Sequence, residues 1–410
     1  MMEKDMMKKY ARLVVKTGVN IQPGQTLVVT SPVDCADFAR IIVQTAYEEG
    51  AREVVMNWGD EITAKARYLY APDDLFDEFP EWRREFYLSY AEKGAAFISI
   101  SASDPELMKD VDPGRIARAN KASRTALKDY SERLMSNRNT WCVVSVPTEA
   151  WASKVFPQIP GKQAVDKLWQ AILQAVRADL PDPVESWNQH KQTLKENMEK
   201  LNRMQLKWIH MKNRLGTDLK VELPSGHNWL GGSELSADGV EFIANMPTEE
   251  IFTAPHRKGV NGRVVSSMPL NYNGNLIEGF SLTFRDGEVV DIQAEKGYET
   301  LKQLTDTDEG ARCLGEIALV PYDSPISNMN ILFYNTLFDE NASCHLALGK
   351  AYPVCLKGGD SMNKEELENA GINDSLIHVD FMFGTEDLEI EGMTADGQTV
   401  TVFRKGNFAL

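Results

Sequence analysis

Two short segments place a histidine and acidic residues inside otherwise apolar runs. In LIHVDFMFG (376–384), His378 and Asp380 stand two apart. Side chains of a strand alternate between faces, so an extended backbone here points the imidazole and the carboxylate the same way and sends Ile377, Val379, Phe381 and Phe383 to the other face. In DENASCHLALGKAYPV (339–354), Glu340, His345 and Tyr352 follow at short spacing. Two more acids enter apolar runs: Glu316 in GEIALV and Glu250, preceded by Glu249, in PTEEIF. A buried carboxylate is costly unless a cation or a metal ion accompanies it. Neutral imidazole and carboxylate are the ligands chosen by zinc, cobalt or manganese.

Taken singly, each residue has an ordinary role open to it. Glu250 can cap a helix, Glu316 and Glu340 can pair with nearby lysines or arginines, His345 can be a satisfied core histidine, and the 376–384 stretch can be a solvated edge strand. Glu249 is open as well, either a solvated surface acid or part of an attraction for a cationic group. Together, Glu250, Glu316, Glu340, Asp380, His345 and His378 are accounted for more economically by a divalent-metal site, and four carboxylates balance two such ions. Among the other histidines, His190 and His210 fall on a polar-rich helical stretch, His227 lies in the turn-like PSGHNW, and His256 in EEIFTAPHRKG stays open between a structural role and a second-shell one. No G-x-S-x-G elbow and no H-E-x-x-H helix is present. Cys344 beside His345 is a poor nucleophile–base pair, because neighbours on a strand point to opposite faces. A metal-activated water is the better reading.

The elements that must hold these residues separate into two kinds. Over residues 1–185, strand-like QTLVVTSP, REVVMNWGD, AAFISISAS and WCVVSVPT alternate with helical stretches, the βαβ rhythm of an α/β domain with a mainly parallel sheet. It carries neither G-x-G-x-x-G nor G-x-x-x-x-G-K-[ST], so nucleotide binding has no support. Residues 186–214 hold no Gly or Pro and set Leu194, Met198, Leu201, Met204 and Trp208 at three- and four-residue steps, predicting an amphipathic linking helix. Residues 215–410 change to short strands with turns such as Arg-Asp-Gly-Glu and Ala-Asp-Gly-Gln. This predicts a mainly antiparallel β, barrel-like α+β domain that carries the metal-binding residues.

The 410 residues are 43% hydrophobic and 25% charged, the balance of a globular protein with material for two cores. A net charge of -16 opposes phosphate backbones and anionic lipid, which argues against nucleic acid and membrane as partners. The five cysteines are scattered without C-x-x-C spacing, so a reduced state is expected. The N-terminal MMEKDMMKKYARLVV lacks the apolar centre of a signal peptide, and a cytoplasmic location is expected.

The segments NMPTEEIFTAPHRKGVNG (245–262), GARCLGEIALVPYDSPIS (310–327), LFDENASCHLALGKAY (337–352) and SLIHVDFMFG (375–384) resemble the signature blocks of the thermophilic aminopeptidase family of metalloaminopeptidases, the group of aminopeptidase T, aminopeptidase S and PepS. LPSGHNWLGG (223–232) and the N-terminal segment are similar to that family too, so the resemblance covers essentially the whole chain. It implies a cytoplasmic homodimer that removes N-terminal residues from peptides with a free N-terminus, using two divalent ions per chain (zinc, cobalt or manganese). It further implies metal ligands at Glu250, Glu316, His345, His378 and Asp380, with Glu340 as ligand or base, Glu316 or Glu340 moving the proton, and Tyr352 donating to the oxyanion. The competing expectations are another metallo-amidase or dipeptidase, and a non-catalytic protein that binds a metal and a small ligand.

Overall fold

The computed structural model describes residues 2–272 and 275–410. The chain divides into two compact units, Met1–His190 with Ser233–Thr248, and Lys191–Gly232 with Glu249–Leu410. Among the described residues no helix is long and apolar enough to cross a membrane.

The first unit contains a four-stranded parallel sheet in the order Glu53–Gly59, Thr26–Pro32, Ala96–Ile100, Trp141–Val144. Its strands arise from the runs read as strands in the sequence, and parallel pairing follows because helices such as Ala36–Glu48 and Glu81–Glu92 fill the connections. One apolar cluster of this unit gathers Val28, Ala91, Ala95 and Phe97.

The second unit is built on two antiparallel sheets. Five strands run in the order His378–Met382, His345–Gly349, Leu314–Leu319, Ile251–Thr253, Leu230–Gly231. Eight others run from Glu288–Gln293 through Ser281–Arg285, Val260–Val265, Asp218–Glu222, Trp208–Lys212, Glu389–Met393 and Thr399–Arg404 to Asn407–Phe408. A single buried cluster joins Ile317, Leu319, Leu346, Leu348, Val379 and Phe381 of the smaller sheet to Ile209, Val221, Val264, Leu282, Ile390 and Phe403 of the larger. Among the described residues neither sheet closes into a barrel. Each sheet covers one apolar face with the other, so no strand has to return to the first to bury it. The Arg-Asp-Gly-Glu and Ala-Asp-Gly-Gln turns do join hairpins, Ser281–Arg285 to Glu288–Gln293 and Glu389–Met393 to Thr399–Arg404.

The linking helix predicted over 186–214 is shorter and starts earlier, at Pro183–Met204. Gln205 takes a φ of 44°, in the left-handed region that stops a helix, and Trp208–Lys212 is a strand. The three- and four-residue spacing of Leu201, Met204 and Trp208 misled because Ile209 and Met211 alternate as strand residues facing the core.

Candidate metal centre

The five-stranded sheet sorts its residues by face. Thr253, Ile317, Leu346 and Phe381 are paired across four strands on the core side, as are Leu348 and Val379. The intervening positions point the other way. There Leu230, Phe252, Ala318, His345 and Met382 form one cross-strand row. The next row holds Glu316, Ala347 and Asp380, and Gly349 opposite His378 begins a third. The period of two seen in LIHVDFMFG is therefore realised: Ile377, Val379, Phe381 and Phe383 enter the core, while His378 and Asp380 share the opposite face.

Two glycines let the strands approach closely at this level. Gly349 has a φ of 105°, and a Cβ there would come within 2.1 Å of the Ile377 carbonyl. Gly315 sits at a break in register between Leu314 and Glu316, where a Cβ would lie 2.4 Å from the Lys350 carbonyl. The bulge turns Glu316 toward the histidines on both of the next strands.

Both histidines are oriented by backbone oxygens. His345 Nδ1 lies 2.9 Å from the Glu340 carbonyl and 3.1 Å from that of Ser343, and His378 Nδ1 lies 2.7 Å from the carbonyl of Lys350. A carbonyl only accepts, so each Nδ1 carries a proton and, in the neutral ring, each Nε2 presents a lone pair. Those lone pairs face carboxylates. His345 Nε2 is 2.9 Å from Glu250 Oε2 and 3.7 Å from Glu316 Oε1, and His378 Nε2 is 3.5 Å from both Glu316 Oε2 and Asp380 Oδ1. Glu250 Oε2 and Asp380 Oδ1 are buried without a hydrogen-bond partner. Lone pairs and negative oxygens at such distances repel unless a proton or a metal ion stands between them.

The electrostatics express the same conflict. Burial pushes the Glu316 carboxyl up, against the pull of His345 and His378, and pushes Glu340 well above the usual range with Asp380 adding to it. Burial works to lower both histidines and is outweighed by carboxylates, Glu250 and Glu316 for His345, Asp380 and Glu316 for His378, which reaches about 9. Asp380 feels burial first, yet His378 and His345 draw it below its ordinary value. The shifts favour protons where a divalent cation could stand, and the donor set of imidazole nitrogen and carboxylate oxygen fits such an ion. Two groups have donor atoms within 4.8 Å of one another: Glu250, Glu316 and His345, and Glu316, His378 and Asp380. Glu316 belongs to both.

Glu340 lies outside both groups but is buried next to them, at the start of the short turn Glu340–Ala342. Tyr352 is half-buried, its ring edge-on to that of His378 at 5.0 Å between centroids. Glu249 is buried, and its backbone N–H donates to Asn341 Oδ1 at 2.7 Å. Asn341 went unnoticed in the sequence. Fully buried, it donates in turn to the Leu337 carbonyl at 2.9 Å and ties the PTEEIF segment to the turn bearing Glu340. An amide next to a candidate acid in DENAS was the available signal.

The remaining histidines have partners of their own. His190 Nε2 is 2.8 Å from the Thr248 carbonyl, His256 Nδ1 accepts from Lys258 N, and His227 is buried with Nδ1 3.0 Å from the Pro224 carbonyl. His210 lies on a strand, not on the expected helix, and meets Asp218 at 2.6 Å. All five cysteines are buried, and none forms a disulfide among the described residues. Burial lifts the Cys344 thiol to about 12 and its Sγ contacts the backbone of Val320, so it is no nucleophile for His345.

The sequence matches the thermophilic metalloprotease (M29) family over residues 3–408. Aminopeptidase 2 of Geobacillus stearothermophilus is 53% identical over 401 residues, 98% of this chain and 97% of that protein. Aminopeptidase AmpS of Bacillus subtilis (strain 168) is 49% identical over 400 residues, again 98% and 97%. Among solved structures, wild-type AmpT from Thermus thermophilus is similar with a TM-score of 0.91 at 39% identity, covering 99% of this chain and 100% of that one. On the strength of this full-length match, the chain belongs to the thermophilic metalloprotease (M29) family and is a metal-dependent peptidase.

Proposed function

We propose that the protein is an aminopeptidase that removes N-terminal residues from peptides at a site for two divalent ions. Glu250, Glu316 and His345 would hold one ion, and Glu316, His378 and Asp380 the other, with zinc, cobalt and manganese all compatible with these donors. The observation that carries this reading is the convergence of two backbone-oriented imidazole lone pairs on opposite oxygens of one glutamate. When bound, the ions supply Lewis acidity, which makes water nucleophilic near neutral pH and polarises the scissile carbonyl.

The chain's own groups perform the remaining tasks. Glu340, buried beside the ligand groups yet in neither, takes the proton of the attacking water on its carboxylate and delivers it to the leaving amine. Glu316 is the other candidate for this transfer, but its two oxygens already face the two histidines. Tyr352 directs its hydroxyl to the oxyanion of the tetrahedral intermediate, its ring set in place by His378 and Phe252. The surplus of carboxylates, with Glu249 adjoining, favours a substrate that carries a free cationic α-amine. The cytoplasmic location and the homodimer implied by the resemblance belong to this reading, and sedimentation at the monomer mass would remove the second.

The test is the initial rate on leucine p-nitroanilide and on its N-acetylated counterpart, before chelation, after it, and after adding back zinc, cobalt or manganese. Cleavage confined to the free amine, lost on chelation and restored by metal, is expected. Equal cleavage of both substrates would replace the reading by an amidase or endopeptidase.

A further inference from the structure

The cross-strand row that ends in His345 begins with apolar side chains. Leu230 pairs with Phe252, Phe252 with Ala318, and Ala318 with His345, all on the face of the sheet that bears the metal candidates. Along its own chain Phe252 follows Glu250 by two, the spacing that sets both on one face about 7 Å apart. Its neighbours Ile251 and Thr253 are fully buried on the core side, whereas Phe252 and Leu230 are only half-buried. The Phe252 ring contacts Tyr352 at 5.9 Å between centroids, and Tyr352 contacts His378 at 5.0 Å. One side of these side chains packs against a small separate core of Ala254, Ala351, Cys355, Leu356 and Ile372.

An apolar floor thus starts two residues along the strand from Glu250. Ala318, with no atoms beyond Cβ, is the only step between Phe252 and His345 along the row. A substrate held with its scissile carbonyl and α-amine at the acidic cluster projects its first side chain from the carbon between them. The charged groups occupy Glu316, Asp380 and the two histidines, and Phe252 with Leu230 is the apolar surface that the row leaves open beside them.

We propose that Phe252, with Leu230 beside it and Tyr352 at its edge, seats the side chain of the substrate's first residue and sets a preference for branched or aromatic apolar residues over small or acidic ones. This rests on the aminopeptidase reading and adds the residues that select the substrate. Burying a leucyl or phenylalanyl side chain against this floor contributes binding that an alanyl one cannot; removing the floor takes away that difference, while any loss through the Tyr352 ring contact falls on all substrates alike and cancels in their ratio.

The experiment measures kcat/KM for leucine, phenylalanine, alanine and aspartate p-nitroanilides with the metal-loaded wild type and with Phe252→Ala, Phe252→Leu and Leu230→Ala, the metal content of each being recorded. In Phe252→Ala the leucine-to-alanine ratio is expected to fall at least about tenfold, with a smaller fall in Leu230→Ala. Phe252→Leu is expected to lower the ratio for phenylalanine more than for leucine, and it reports on the site even if Phe252→Ala does not fold. Ratios within twofold of wild type in folded, metal-loaded variants overturn the assignment while leaving the aminopeptidase reading intact. A wild type that cleaves none of the free-amine substrates overturns both.

Discussion

Glu316 stands between two histidines, with Oε1 3.7 Å from His345 Nε2 and Oε2 3.5 Å from His378 Nε2. The two imidazoles come from different strands, and each is turned by a carbonyl so that its free nitrogen meets the same carboxylate. A residue shared in this way ties both ligand groups together. Glu316→Ala is accordingly expected to abolish binding of both ions and lower kcat by several orders of magnitude. Asp380→Asn removes a charge from one group only and should cost one ion while the other stays. Metal analysis by mass spectrometry after dialysis checks both, and equal loss in the two variants would contradict a shared ligand.

Tyr352→Phe removes a hydroxyl and keeps the ring that packs on His378 and Phe252. Loss of one oxyanion donor costs roughly 3–4 kcal/mol, about 10²–10³ in kcat. KM is expected to stay within a few-fold, and a raised KM with kcat unchanged would make Tyr352 a binding residue instead.

Ala347 is buried in the row between Glu316 and Asp380. A leucine there extends into the space that the two carboxylates flank. Ala347→Leu should destabilise the fold by about 1–3 kcal/mol through overpacking, yet largely eliminate metal binding. Calorimetric titration with zinc checks this; full occupancy would show that ions sit elsewhere.

These alanines mark the limit of what the sequence discloses. Alternation in LIHVDFMFG already sets His378 and Asp380 on one face, because the period of a strand is local information. That Glu316 faces both histidines depends on which strands lie side by side and on a bulge at Gly315, and spacing along one strand carries neither. Ala318 and Ala347 gain meaning only from their cross-strand partners. The four parallel strands were legible as apolar runs between helices, whereas the open edges of the two sheets that replace a barrel depend on long-range pairing. Gln205 ends its helix without Gly or Pro, so no local residue announced the strand that follows.

Stability should fall as pH rises in the metal-free protein and hold steady once metal is bound. In the metal-free protein His378 keeps its proton to about 9 instead of its ordinary 6.5: burial opposes the charge, and Asp380 and Glu316 override it. A raised pKa stabilises the fold fully below the unfolded value and is lost as pH climbs through the folded one. Burial raises Glu316 and Glu340 as well, and their deprotonation also weakens the metal-free fold as pH rises. Scanning calorimetry of chelated protein should show Tm falling between pH 6.5 and 9, by an amount on the order of 2 kcal/mol in stability for the histidine alone. With zinc present the Tm should hold, so the gain from metal grows with pH. A chelated protein whose Tm is flat or rises over this range would contradict the proton-for-metal exchange.

The most direct measurement is the number of divalent ions bound per chain, obtained by titrating chelated protein with zinc in a calorimeter and confirmed by elemental analysis, with the rate on leucine p-nitroanilide followed at each step. Two ions per chain, with activity completed by the second and both lost in Glu316→Ala, is the predicted result. Full activity at one ion per chain, or two ions retained without Glu316, would contradict the shared centre on which the account stands.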